Sequence, residues 1–346
     1  MAVYLKELTA LPGPSGREDR VREYIMQTAA AFCDEVRRDK LGNVIVTRRG
    51  SDPNGPTIMA VAHMDEVGLI LNRIEDNGLL HFATIGGIDG RILLSQRVRI
   101  GEKGVPGVIG AMPIHLLKPE DIKKPVPIEE LTIDIGVSSR AEAEKLVQRG
   151  DWVVFEPGYV EFGDNLVKSR ALDDRAGCSL LLEALQHQYA ATLVGVFSVM
   201  EEIGGFGAQV AAHAVAPDAA VILEGTTCAD IHDVADHLRV TRVGQGPAIS
   251  IMDRSAISNN ALRRFLIGVA ERNGIPWQNR AGAFGGTDAG PVSLSRAGVP
   301  VVNINVPCRY IHSPICTMSK TDYDNAGRLL QAFLGSAHEH LKEERK

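Results

Sequence analysis

The chain has 346 residues, 45% of them hydrophobic and 23% charged, and a formal net charge of −6. This is the composition of an ordinary globular protein, long enough for one large domain with an insertion or for two domains. The acidic balance offers no basic footprint for a nucleic acid, and no apolar run approaches the ~18–20 residues of a membrane-spanning helix.

The first stretch, MAVYLKELTALPGPSGRE, lacks a basic segment followed by a long apolar core, so no secretory signal is expected. Five scattered cysteines without CxxC spacing predict reduced thiols and a cytoplasmic setting, not a disulfide framework or zinc ribbon. Ser15-Gly16-Arg17-Glu18 has the form of a capping box. Val21, Tyr24, Ile25, Ala29 and Phe32 then recur at helical spacing, predicting an amphipathic helix over about 16–33. NVIVT (43–47) reads as a strand, and TIMAVA (57–62) as another that runs into His63-Met64-Asp65-Glu66.

From about 68 to 165 the texture changes to short β-rich runs separated by glycine turns such as Asp76-Asn77-Gly78. With a proline-rich link at Lys118–Pro127 and one helix over 140–147, this predicts a small all-β barrel or sandwich. Beyond 165 the α/β alternation returns, with helices expected over 174–188, 206–213, 257–273 and 321–343 and strands over 193–200, 219–223 and 299–306. The expected fold is therefore α/β: residues 1–67 and 166–346 form one domain around a mixed, largely parallel sheet, and residues 68–165 form an inserted β-barrel-like domain.

Four of these apolar runs lead to a carboxylate or a histidine: to His63, to Glu201-Glu202, to Glu224 and, within a few residues, to His312. A parallel sheet gathers the carboxyl ends of its strands along one edge, where open α/β sheets bind ligands. In His63-Met64-Asp65 the two polar side chains point to the same side of an extended segment, so Asp65 is placed to orient a metal-binding imidazole. Taken alone, the same pair is also explained as loop hydrogen bonding. Asp173-Asp174 opens a helical pattern and, taken alone, reads first as a helix cap; the functional reading is that Asp173 bridges two cations. Glu201 and Glu202 would repel if both were desolvated; a cation would relieve one and a water molecule would occupy the other. Cys178 is expected to be a packed thiol and Asp288 to cap the segment after it. Together His63, Asp173, Glu202, Glu224 and His312 form a nitrogen and oxygen donor set suited to zinc, cobalt or manganese.

The segments Ala62-His63-Met64-Asp65-Glu66-Val67-Gly68, Leu172-Asp173-Asp174-Arg175, Glu201-Glu202-Ile203-Gly204, Gly286-Thr287-Asp288-Ala289 and Arg309-Tyr310-Ile311-His312-Ser313-Pro314 run in this order through nearly the whole chain. Through them the chain resembles the TET or glutamyl (deblocking) aminopeptidases, a family of dinuclear metallo-aminopeptidases. The resemblance implies a zinc-peptidase-like three-layer domain and hydrolysis of the N-terminal peptide bond of short peptides by a water or hydroxide bridging two divalent metals, zinc or cobalt. It implies that His63, Asp173 and Glu224 bind one ion, that Asp173, Glu202 and His312 bind the other, that Glu201 is the general acid/base, and that Asp65 orients His63. It also implies that the inserted domain mediates dimerisation and that dimers assemble into a hollow tetrahedral dodecamer. Many relatives carry aspartate where this chain has Glu224, a departure that leaves a competent ligand.

Competing readings are a dinuclear amidase acting on N-acyl amino acids and a glycoside hydrolase. The latter needs carboxylates ~5–5.5 or ~6.5–9.5 Å apart across the scissile bond and no metal, whereas Glu201 and Glu202 are neighbours within a ligand cluster. A non-catalytic shell protein would be expected to have lost some of the ligands, and none is missing.

Overall fold

A computed structural model describes residues 4–280, 282 and 284–344. At its centre the strands Thr192–Ser198, Thr57–His63, Ala219–Cys228 and Val301–Arg309 lie side by side and parallel. Antiparallel strands extend this core on both flanks, giving an 11-stranded mixed sheet. Parallel strands covered on both faces read as unbroken apolar runs, which is why these four were visible in the sequence.

Strand residues alternate between two buried clusters. Ile58, Ala60 and Ala62 pack on one face with the helices Leu5–Ala10, Asp19–Ala29, Leu172–Ala184, Asn260–Arg272 and Lys320–Glu344. Met59 and Val61 pack on the other face with Phe206–Val215 and Ala289–Ser293. The result is a three-layer α/β domain.

Six further strands form a closed barrel in the order Gly68–Ile74, Leu80–Ile85, Thr132–Asp134, Val105–Gly110, Arg97–Ile100 and Trp152–Phe155, every pairing antiparallel. Its interior is filled by Leu69, Leu71, Phe82, Val98, Ile109, Ile133 and Val153. The chain enters the barrel five residues after His63, so the barrel stands beside the carboxyl edge of the large sheet. By Val160–Phe162, which pairs with Leu166–Ser169, it is back in that sheet. No helix among the described residues is long and apolar enough to cross a membrane.

Several elements differ from expectation. The first amphipathic helix is Asp19–Ala29, and Ser15 does not cap it; the hydroxyl instead donates to Asp65. The helix expected over 140–147 is a single turn, Arg140–Ala143, capped by Ser139. The strand expected to stop at 223 continues to Cys228, which puts Glu224 within it.

Candidate metal centre and active site

His63 is the last residue of its strand. On the neighbouring parallel strand Ile222 pairs with Val61, so Glu224, two residues on, stands level with His63 and points to the same face. Asp173 reaches the site from the other side. The backbone at Asp173 and Asp174 is not helical, and the helix proper begins after them. This separates the two aspartates: Asp174 accepts from the Gly177 N–H at 3.0 Å as an N-cap and from the His63 N–H at 3.2 Å. Asp173 is left free to turn into the site.

There its two oxygens face two different histidines. Asp173 Oδ1 lies 3.3 Å from His63 Nε2 and Oδ2 lies 3.5 Å from His312 Nε2. His63 Nε2 is also 3.4 Å from Glu224 Oε1, and His312 Nε2 is 3.2 Å from Glu202 Oε2. Two groups suited to hold a cation result, His63–Asp173–Glu224 and Asp173–Glu202–His312, sharing Asp173.

The residues fit divalent ions on two grounds besides their type. Glu224 Oε2 is buried and has no hydrogen-bond partner, a costly state for a carboxylate oxygen without a compensating charge. Burial also pushes the Glu224 and Glu201 carboxyls well above their ordinary range, and Glu202 up to about 7. So many carboxylates at one point call for positive charge beyond two imidazoles.

The rings are fixed from behind. His63 Nδ1 is 3.1 Å from the Asp65 carbonyl oxygen and 3.5 Å from its carboxylate Oδ1, so Asp65 meets the ring first through its backbone. His312 Nδ1 faces the Gly87 carbonyl at 3.0 Å. Gly87 lies in the loop after the barrel strand Leu80–Ile85, and no side-chain pattern could have flagged a residue that acts through its carbonyl. Asp65 is wholly buried; burial would raise its carboxyl, yet the His63 ring, the Ser15 hydroxyl and the Glu201 N–H hold it below the usual range.

Glu201 and Glu202 sit in a turn just past Thr192–Ser198, where the left-handed Met200 (φ +58°) turns the chain back. Both line the adjoining cavity of about 530 Å³, and Glu202 but not Glu201 belongs to one of the two ligand groups. That cavity, also lined by Thr226, Thr227, Ser255, Phe284, Thr287 and Ile311, has the size of a small-ligand pocket. Asp288 does not cap the helix after it; its Oδ2 accepts from Ser198 Oγ at 2.5 Å beneath the site. Cys178 is buried, its Sγ donating to the His63 carbonyl at 3.1 Å, and burial keeps the thiol protonated.

The sequence profile of the M42 glutamyl aminopeptidases matches residues 42–329. A putative aminopeptidase of Acetivibrio thermocellus is 38% identical, the alignment covering 94% of this chain and 96% of that one. The structure of a TET aminopeptidase from Thaumarchaeota archaeon SCGC AB-539-E09 superposes with a TM-score of 0.95 at 37% identity, covering 100% and 99% of the two chains. The TET1 peptidase of Pyrococcus horikoshii, which can assemble into a tetrahedron or a large octahedral shell, superposes at 0.86 with 34% identity, covering 97% and 100%. The chain thus belongs to the M42 glutamyl aminopeptidase family and is an aminopeptidase, a hydrolase acting on peptide bonds.

Proposed function

We propose that His63, Asp173 and Glu224 hold one divalent ion, and Asp173, Glu202 and His312 a second, each zinc or cobalt, for hydrolysis of the N-terminal peptide bond of short peptides. The observation that carries this reading is the placement of Asp173, one carboxylate oxygen toward each histidine. Such ions, when bound, lower the pKa of water and polarise the scissile carbonyl.

Glu201 is the general acid/base. It borders the ligand cluster in the cavity wall, and burial with Glu224 nearby raises its proton affinity. Its carboxylate takes the proton of the attacking water and passes it to the leaving amine nitrogen as the C–N bond breaks. Asp65 orients His63, and the Gly87 carbonyl orients His312. In Glu201→Gln, which keeps shape but cannot carry the proton, kcat is expected to fall ~10²–10⁴-fold with metal content unchanged. Near-native turnover on aminoacyl anilides would remove Glu201 from this role.

The working form is a homo-oligomer, dimers joined through the barrel (68–165) and assembled into a tetrahedral dodecamer. The assembly of the P. horikoshii relative supports this, as do Met112, Ile114 and Leu116, each more than 60% exposed on the barrel. Sedimentation giving a monomer's mass would refute it. A cytoplasmic location fits five unpaired cysteines and is checked by cell fractionation.

A further inference from the structure

Ser15 and Glu18 read as a helix cap in the sequence, yet neither caps the helix Asp19–Ala29. Both are buried beneath the site, in a segment tied to the loop after His63 by the Pro14–Glu66 bridge and by the Gly13 N–H donating to Glu66 at 3.0 Å. Ser15 Oγ donates to Asp65 Oδ2 at 2.7 Å. The Asp65 carboxylate in turn accepts the Glu201 N–H at 3.0 Å on Oδ1 and the Glu202 N–H at 3.1 Å on Oδ2. Glu18 Oε1 accepts the Gly16 N–H at 2.7 Å and the Met200 N–H at 3.3 Å.

Three consecutive backbone N–H groups, those of Met200, Glu201 and Glu202, are therefore held by two buried carboxylates from elsewhere in the chain. The turn needs such support. Met200 is a non-glycine residue in the left-handed region, a conformation that persists only where its surroundings hold it. Two adjacent glutamates that both line the cavity must also be kept in different roles, Glu202 in the ligand group and Glu201 outside it.

We infer that Ser15 and Glu18 are positioning residues for the reaction: Ser15 fixes the Asp65 carboxylate, Glu18 fixes Met200, and together they aim the Glu201 carboxylate. Neither touches the cavity, so both act entirely through other groups. The inference rests on the assignment of Glu201 as acid/base.

The test compares Ser15→Ala with Ser15→Thr, and Glu18→Ala with Glu18→Gln, in the full-length protein. Thr keeps the hydroxyl donor, and Gln keeps one oxygen to accept both N–H groups. Ser15→Ala and Glu18→Ala are expected to lower kcat about tenfold or more, as loss of an outer-shell partner does, with KM and metal content held. Ser15→Thr and Glu18→Gln are expected to restore near-native kcat. Native kcat in both alanine variants overturns the inference. So does an equal loss in the conservative variants that tracks a fall in melting temperature, because that marks a purely structural role. Glu201→Gln run alongside separates the two failures: if it is inactive while the alanine variants are normal, only this inference falls, and if it is active, the acid/base assignment falls first.

Discussion

The two halves of the candidate metal centre are built differently. In the half formed with His63 and Glu224, both residues stand on adjacent strands of the large sheet, so backbone hydrogen bonds set their spacing. In the half formed with Glu202 and His312, both stand on turns, and His312 itself has a left-handed backbone (φ +57°). Its ring is held by a carbonyl from the barrel, a separate cluster of packed side chains. The two histidines also differ in exposure, the His63 side chain being 1% exposed and that of His312 39%, while the carboxylate ligands of both halves are buried. One half is thus built on paired strands of the sheet, while the other is assembled from turns at the sheet's edge and a loop of the barrel. That arrangement suits a site that must hold its ions and still admit a peptide.

The most severe lesion removes the residue the halves share. Asp173→Ala deletes an oxygen from each, so both ions and all turnover are expected to be lost while the fold, followed by circular dichroism, survives. Retention of one tightly bound ion, measured by mass spectrometry of the metal content, would show that Asp173 serves only one half.

A subtler pair of lesions contrasts the ligand the halves share with a support that only one half uses. A Cβ built on Gly225 would stand 2.8 Å from both Asp173 Cβ and Oδ1, and 3.0 Å from its Cα, against a backbone with nowhere to go. A Cβ built on Gly87 meets only His312 Nδ1, at an ordinary 3.5 Å. Gly225→Ala is therefore expected to cost about 10²-fold in kcat/KM, the scale of an ångström's misplacement, and Gly87→Ala very little. Equal losses would mean that the close packing of Gly225 against Asp173, the shared ligand, places it no more firmly than the Gly87 loop places His312.

The same division governs what could be read in the sequence. His63 was legible because it ends an apolar run and because sheet topology collects such ends. Glu224 was found for a partly wrong reason. Its strand does not stop there, and what places it is its register with His63 on the neighbouring strand, which no single segment reveals. Asp173 was read as the bridging carboxylate, but capping and ligation ask for the same residue at a helix start; the irregular backbone at the pair is what gives the capping to Asp174. The barrel showed itself through short runs and glycine turns, but its strand order did not. Gly87 left no trace, and Ser15 left a misleading one: a local motif fits its neighbours as well as it fits Asp65, 50 positions away.

The mildest experiment leaves the chain unaltered. If the halves differ in solvent access, a chelator reaches the ion beside His312 first, because His312 is the one ligand with an exposed side chain while His63, Asp173, Glu202 and Glu224 are buried. Metal release followed with a chromogenic chelator is then expected to resolve into a fast and a slow phase of equal amplitude. In His312→Ala the fast phase should disappear and the slow one persist, since no ligand of the buried half is touched. Refilling the stripped enzyme should run in reverse, the first equivalent entering the buried half, where the unpartnered Glu224 oxygen has most to gain from a cation. A single release phase, or the survival of both phases in His312→Ala, would mean that the two positions exchange as one unit and that the barrel-supported half is as closed as the half built on the sheet.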